Sequence, residues 1–214
     1  FIMWDFDPYY NPYATYMVPP HSETVTAYFG PTRYWIDTIS STSIARAALS
    51  DQYYYEGRTM VEGQKASYVT TYNDDVHIYD ERGLAWFISV VNGINGTQAR
   101  EFYFNNVYIH KKSDGTPYDM SEFLWTPVGT TQHPFRGYLI GVDSEDTCTT
   151  PLVNISGSDT TTDYVVIKSV IANEPNADYV GFFGHIESAR IIGIQLTGAL
   201  VRGAQYSAAM AADS

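Results

Sequence analysis

The sequence predicts an all-β sandwich, two antiparallel sheets packed face to face around a single core. Three observations carry that expectation. Short alternations of apolar and polar residues recur along the chain, each closed by Gly, Pro, Asn or Asp. Aromatic residues make up 15%, with 19 Tyr, and such rings suit a pleated, half-buried surface. One stretch alone, residues 40–51, reads as a helix.

The elements follow in order. Residues 1–22 hold four prolines and seven aromatic residues, which predicts an extended arm rather than a central strand. Residues 23–214 then form one domain. Val25, Ala27 and Phe29 alternate with Thr24, Thr26 and Tyr28 until Gly30-Pro31 stops the strand. In the 40–51 helix, Ser40 to Thr42 offer N-caps, and Ile44, Ala47, Ala48 and Leu49 line one face. Further strands are expected at 66–72, 76–80, 84–91, 100–110, 135–142, 163–171, 179–184 and 190–200. Residues 84–91, LAWFISVV, are apolar on both faces and read as a central strand covered on each side. No repeat unit is visible.

The C-terminal third carries three recognisable stretches. They are His133-Pro-Phe-Arg-Gly-Tyr-Leu-Ile-Gly-Val-Asp143, Asp178-Tyr-Val-Gly-Phe-Phe-Gly184, and Ala189-Arg-Ile-Ile-Gly-Ile-Gln-Leu-Thr-Gly198. This order resembles the jelly-roll domains of secreted bacterial proteins, including PEP-CTERM-sorted exoproteins. The resemblance spans about residues 35–200 and implies a jelly-roll β-sandwich. It implies no particular enzyme activity, and the sorting tail itself is absent.

The net charge is −12, from 24 acidic and 12 basic residues. A negative field repels phosphate, which argues against nucleic acid and anionic membranes as partners. Calcium is the natural counter-ion. The candidate ligands are Asp143, Glu145 and Asp146, then Asp74, Asp75 and Asp80, and no other cofactor is expected. Asp5 and Asp7 add charge to the arm. Cys148 has no basic neighbour and reads as an inert thiol. No apolar run reaches membrane-spanning length. Low charge, abundant Thr and Ser, and sequons at Asn95 and Asn154 point to an extracellular protein.

Nothing in the sequence reads as a catalytic centre. His21, His77, His110, His133 and His185 show no zinc-ligand spacing, and His77 and His110 are expected to face outward. No nucleophile elbow or phosphate loop is present. Glu101, Glu122 and Glu187 are the candidates for a glycosidase pair, although outward-facing strand or turn positions suit them better. Trp4, Trp35, Trp86 and Trp125 suit core or interface packing. Trp125, beside Pro127, is the best candidate for an exposed glycan platform, and Trp86 for the core.

The reading is therefore a non-catalytic extracellular structural protein, the protomer of a filament or surface layer. Its arm, through Ile2, Trp4 and Phe6, would add as a strand to a neighbouring copy, head to tail. A carbohydrate- or calcium-binding module is the alternative, and a glycoside hydrolase the third.

Overall fold

The computed structural model describes residues 3–4, 27–28, 30–39, 69–72, 75–94, 98–144, 151–152 and 164–211. The expected 40–51 helix lies outside them. So do Ile2, Phe6, Asp74, Glu145, Asp146, Cys148 and both sequon asparagines, Asn95 and Asn154. The chain divides into two units, Phe1–Thr32 and Arg33–Ser214. In the first, β1 (Met3–Trp4) pairs antiparallel with β2 (Ala27–Tyr28), setting Trp4 opposite Ala27.

The second unit is not a sandwich. It is a parallel β-solenoid of about four turns, with one α-helix among the described residues, so the antiparallel jelly roll is overturned. β3 (Val69–Tyr72) and β4 (Asp75–Ile78) make an antiparallel pair at one edge. From β4 onward every strand pairing among the described residues of this unit is parallel. β4 lies against β5 (Asn106–His110), β5 against β7 (Tyr138–Val142), and β7 against β11 (Arg190–Ile192). A second sheet stacks β6 (Tyr118–Asp119), β8 (Val165–Lys168) and β12 (Ile194–Thr197). Two narrower ladders complete the coil: β9 (Ile171–Asn173) with β13 (Leu200–Arg202), and β10 (Tyr179–Val180) with β14 (Tyr206–Ser207).

The register explains the stacking. Val76, Val107, Leu139 and Ile191 fall on one line across four strands, all pointing into the core. Tyr118, Ile167 and Leu196 form a second such line. Period-2 alternation gives each strand one inward row, whether its neighbours run parallel or antiparallel. The alternation used to infer a sandwich was therefore real, but it did not carry strand direction.

Two glycines show how closely the coils approach. A Cβ on Gly141 would sit 2.0 Å from the Gly193 carbonyl oxygen, and one on Gly129 would sit 2.1 Å from that of His185. Tyr138-Leu-Ile140 and Arg190-Ile-Ile192 stack residue on residue, within the similar stretches 137–142 and 189–194, so a repeat does exist in the chain.

The expected strand at 84–91 is also corrected, because it lies in α1 (Glu81–Asn92). Asp80 caps its start, accepting from the backbone N–H of Arg82 and Gly83 at 2.9 and 3.1 Å. Gly93 ends it in the left-handed conformation at φ 67°, its N–H donating to the Ser89 carbonyl. Residues 83–91 are buried on every side, which is why no polar face marks the helix. Around it, Phe87 meets Phe102 and Phe135 edge-on, and Phe135 stacks on Phe183.

Candidate functional site

Three places on the solenoid hold side chains or backbone groups that its core does not absorb. The first is the outer face of the β4–β5–β7–β11 sheet. Alternation sends His77, Tyr108, His110, Ile140 and Val142 to this side, and Tyr108, Ile140 and Val142 form an apolar cluster separate from the core. His77 and His110 do face outward as expected, but His110 is fully buried and the two rings are bonded. His77 Nδ1 lies 2.9 Å from His110 Nε2, and His110 Nδ1 lies 3.0 Å from the Asp143 carbonyl oxygen. A carbonyl only accepts, so His110 Nδ1 carries a proton. Neutral His110 then accepts at Nε2 from the Nδ1–H of His77, which leaves His77 Nε2 as a lone-pair nitrogen.

Aromatic rings enclose the pair. Tyr79 stacks on His110 at 4.7 Å, and Tyr108 leans on His77 at 4.9 Å. Burial, and next the charge of its partner, lower the His77 pKa to about 4. His77 is therefore neutral near pH 7. Sequence spacing missed this pair because parallel pairing puts His77 beside Tyr108, two residues removed from His110 in register.

The second place is a file of rings on the surface. Tyr103 and Phe104 are 61% and 53% exposed, with centroids 4.3 Å apart. Phe104 lies 6.2 Å from Tyr138, and the Arg190 guanidinium lies 5.3 Å from the Tyr138 ring centre. Phe102 and Phe104 both hold left-handed backbone, at φ 55° and 59°.

The third place is the C-terminal end of the coil stack. Among the described residues, β11, β12, β13 and β14 each form the edge of their sheet. Their inward apolar residues, Ile191, Leu196 and Val201 among them, are only partly buried. The Thr197 and Arg202 carbonyls accept from Ser169 and Glu174 of the coil before. Alternate residues of a parallel strand turn their backbone groups to opposite sides, so Leu196 and Val201 turn theirs to the open side. Tyr206, 53% exposed, stacks on Tyr179 at 5.1 Å with ring planes 9° apart.

The other expected site residues have structural work. Asp75 accepts from the Asn106 backbone and side chain. Asp80 is the helix cap, and burial raises its pKa. Asp143 is exposed, and its carboxylate accepts from the Ser144 N–H at 2.7 Å. Among the described residues, no group of three or more His, Cys, Asp or Glu could hold a metal ion. Glu101 and Glu187 do come together, but both bind the guanidinium of Arg136. Glu122 is exposed.

Trp125 is not a platform. It is fully buried, donates Nε1–H to the Phe182 carbonyl at 2.9 Å, and stacks on Phe182. Trp86 lies in the core as expected, and Trp35 is also buried. Among the described residues, no helix is long and apolar enough to cross a membrane. No family model, curated protein or solved structure matches the chain.

Proposed function

We propose that this chain is a non-catalytic, extracellular structural protein that self-associates head to tail by adding strands to the open end of its solenoid. One observation carries the reading: among the described residues, all four strands of the last coil are edge strands, and the apolar residues beneath them are half-covered. Such an edge is a template for another strand. The donor in this reading is the N-terminal arm of a neighbouring copy, through Ile2, Trp4 and Phe6. A contact between two unlike surfaces does not close on itself and extends into a fibre. The low charge and abundant Tyr suit a surface that becomes buried on other copies.

Sedimentation velocity across a concentration series tests this. The expected outcome is a ladder of oligomers, which Val201→Lys and deletion of residues 1–8 each shorten while circular dichroism stays unchanged. A chain that remains monomeric at the highest concentrations removes the proposal. A dimer that stops there would point instead to two open ends meeting each other.

A further inference from the structure

We infer that the file Tyr103–Phe104–Tyr138–Arg190 is a binding site for a neutral glycan running along the solenoid axis. The inference goes beyond assembly and rests on different residues.

The backbone supplies the first reason. Position 104 is a corner of the coil that holds φ 59°. A bulky residue is disfavoured there, and glycine is the usual choice. Ser188 occupies the corresponding corner two coils on, at φ 54°, with a small side chain. The corner therefore does not call for phenylalanine. The ring it carries gains little packing, because Phe104 is 53% exposed. Unfavourable backbone spent on an exposed ring points to a partner for that ring.

The arrangement supplies the second. Tyr138 pairs with Asn106 on one side and Arg190 on the other, so the file crosses strands and follows the axis. Adjacent strands are about 4.8 Å apart, a spacing close to the length of one hexose in a chain. The file is narrow, and polar groups accompany its rings: two tyrosine hydroxyls and a guanidinium. A sugar presents the matching surface, with apolar C–H faces for the rings and hydroxyls for the polar groups. A second protein needs a much broader patch, roughly 800 Å² on each side. The ring planes tilt by 57° and 48° between neighbours, so they offer a twisted track suited to a chain rather than one flat sugar. With a net charge of −12, the protein disfavours acidic polysaccharides.

The test uses the full chain with cellohexaose, laminarihexaose, maltohexaose and hexagalacturonate as probes, followed by saturation-transfer NMR and calorimetry. At least one neutral hexasaccharide is expected to bind, and hexagalacturonate to bind more weakly. Phe104→Gly separates the ligand role from a structural one. It should weaken binding about tenfold while raising the melting temperature by about 2–4 °C through relief of the corner. Tyr103→Ala should weaken binding without moving the melting temperature. The inference is overturned if no neutral probe binds at millimolar concentration, or if hexagalacturonate binds best. It is equally overturned if Phe104→Gly binds as wild type does, or alters only self-association, which would give the surface to a second copy.

Discussion

The coil that starts at Tyr138 and the coil that starts at Arg190 carry nearly the same inward residues in register, yet they live in different surroundings. Leu139, Val165, Ile167 and Ala172 are fully enclosed, whereas Ile191, Ile194, Leu196 and Val201, stacked directly on them, are only partly covered. The local pattern is equivalent, and the number of neighbouring coils differs. In a solenoid each coil is stabilised mainly by those it touches, so an end coil has half the contacts of an inner one. The last coil is then the natural place for local opening and for recruiting another strand.

The sharpest way to break this contrast is one methyl group placed in each region. Gly141→Ala sets a Cβ against the Gly193 carbonyl between two coils, at 2.0 Å. Backbone must move there, and the expected loss is about 3–4 kcal/mol. Gly198→Ala, in the last coil, meets only the Ser169 nitrogen at 3.9 Å and suffers from its φ of 60° alone. Its expected loss is about 1 kcal/mol. Urea denaturation of both variants measures the difference. Equal losses would mean that the two coils are equally well supported.

The contrast also tells how much of the fold was legible. Inward and outward faces were readable, because alternation reports burial: Val76 and Ile78 were placed on one face and His77 on the other. Strand direction was not, since a parallel and an antiparallel neighbour leave the same alternation. The repeat was partly hidden. Val165 to Asn173 lies residue for residue on Ile194 to Arg202, yet residues 143–164 intervene between β7 and β8, where only Gly193 lies between β11 and β12. The helix at Glu81–Asn92 was missed because a helix buried all round has no polar stripe. Its Asp80 cap and Gly93 stop were the available signals. Of the candidate sites, the His77–His110 contact depends on register between coils, and no spacing rule in one dimension contains it. Tyr103 and Phe104 look like ordinary core residues in sequence, and only the corner at 104 turns them outward.

A second prediction concerns the inner region through its histidines. The folded His77 has a pKa of about 4 against an ordinary value of 6.5. A depressed folded pKa means the unfolded chain binds the proton more readily. Its contribution is complete above pH 6.5, falls as the pH drops, and is lost through about pH 4. The shift corresponds to about 3 kcal/mol across that window. Protonating both rings also removes the acceptor that holds His77 to His110. Urea denaturation between pH 7.5 and 4 should show the decline, and His77→Gln should flatten it. An unchanged slope in His77→Gln would assign the acid sensitivity to groups other than His77.

The smallest effect expected is at the surface of the second sheet. Lys168 Nζ lies 3.0 Å from Asp119, linking neighbouring coils, with both side chains more than two-fifths exposed. Water screens such a pair, so Lys168→Ala should change stability by only about 0.5 kcal/mol, and less at high salt. Glu81 offers the comparison inside the same neighbourhood. It binds Lys112 Nζ at 2.7 Å and also accepts the Asp119 backbone N–H at 2.8 Å, with both side chains of the pair about four-fifths covered. Glu81→Ala should therefore be more damaging, by about 1–2 kcal/mol, because it strands a backbone donor as well as an ammonium. Chemical denaturation at two salt concentrations separates the two pairs. If Lys168→Ala proves as costly as Glu81→Ala, exposure is not what sets the strength of contacts between coils, and the contrast drawn from the last coil loses its physical basis.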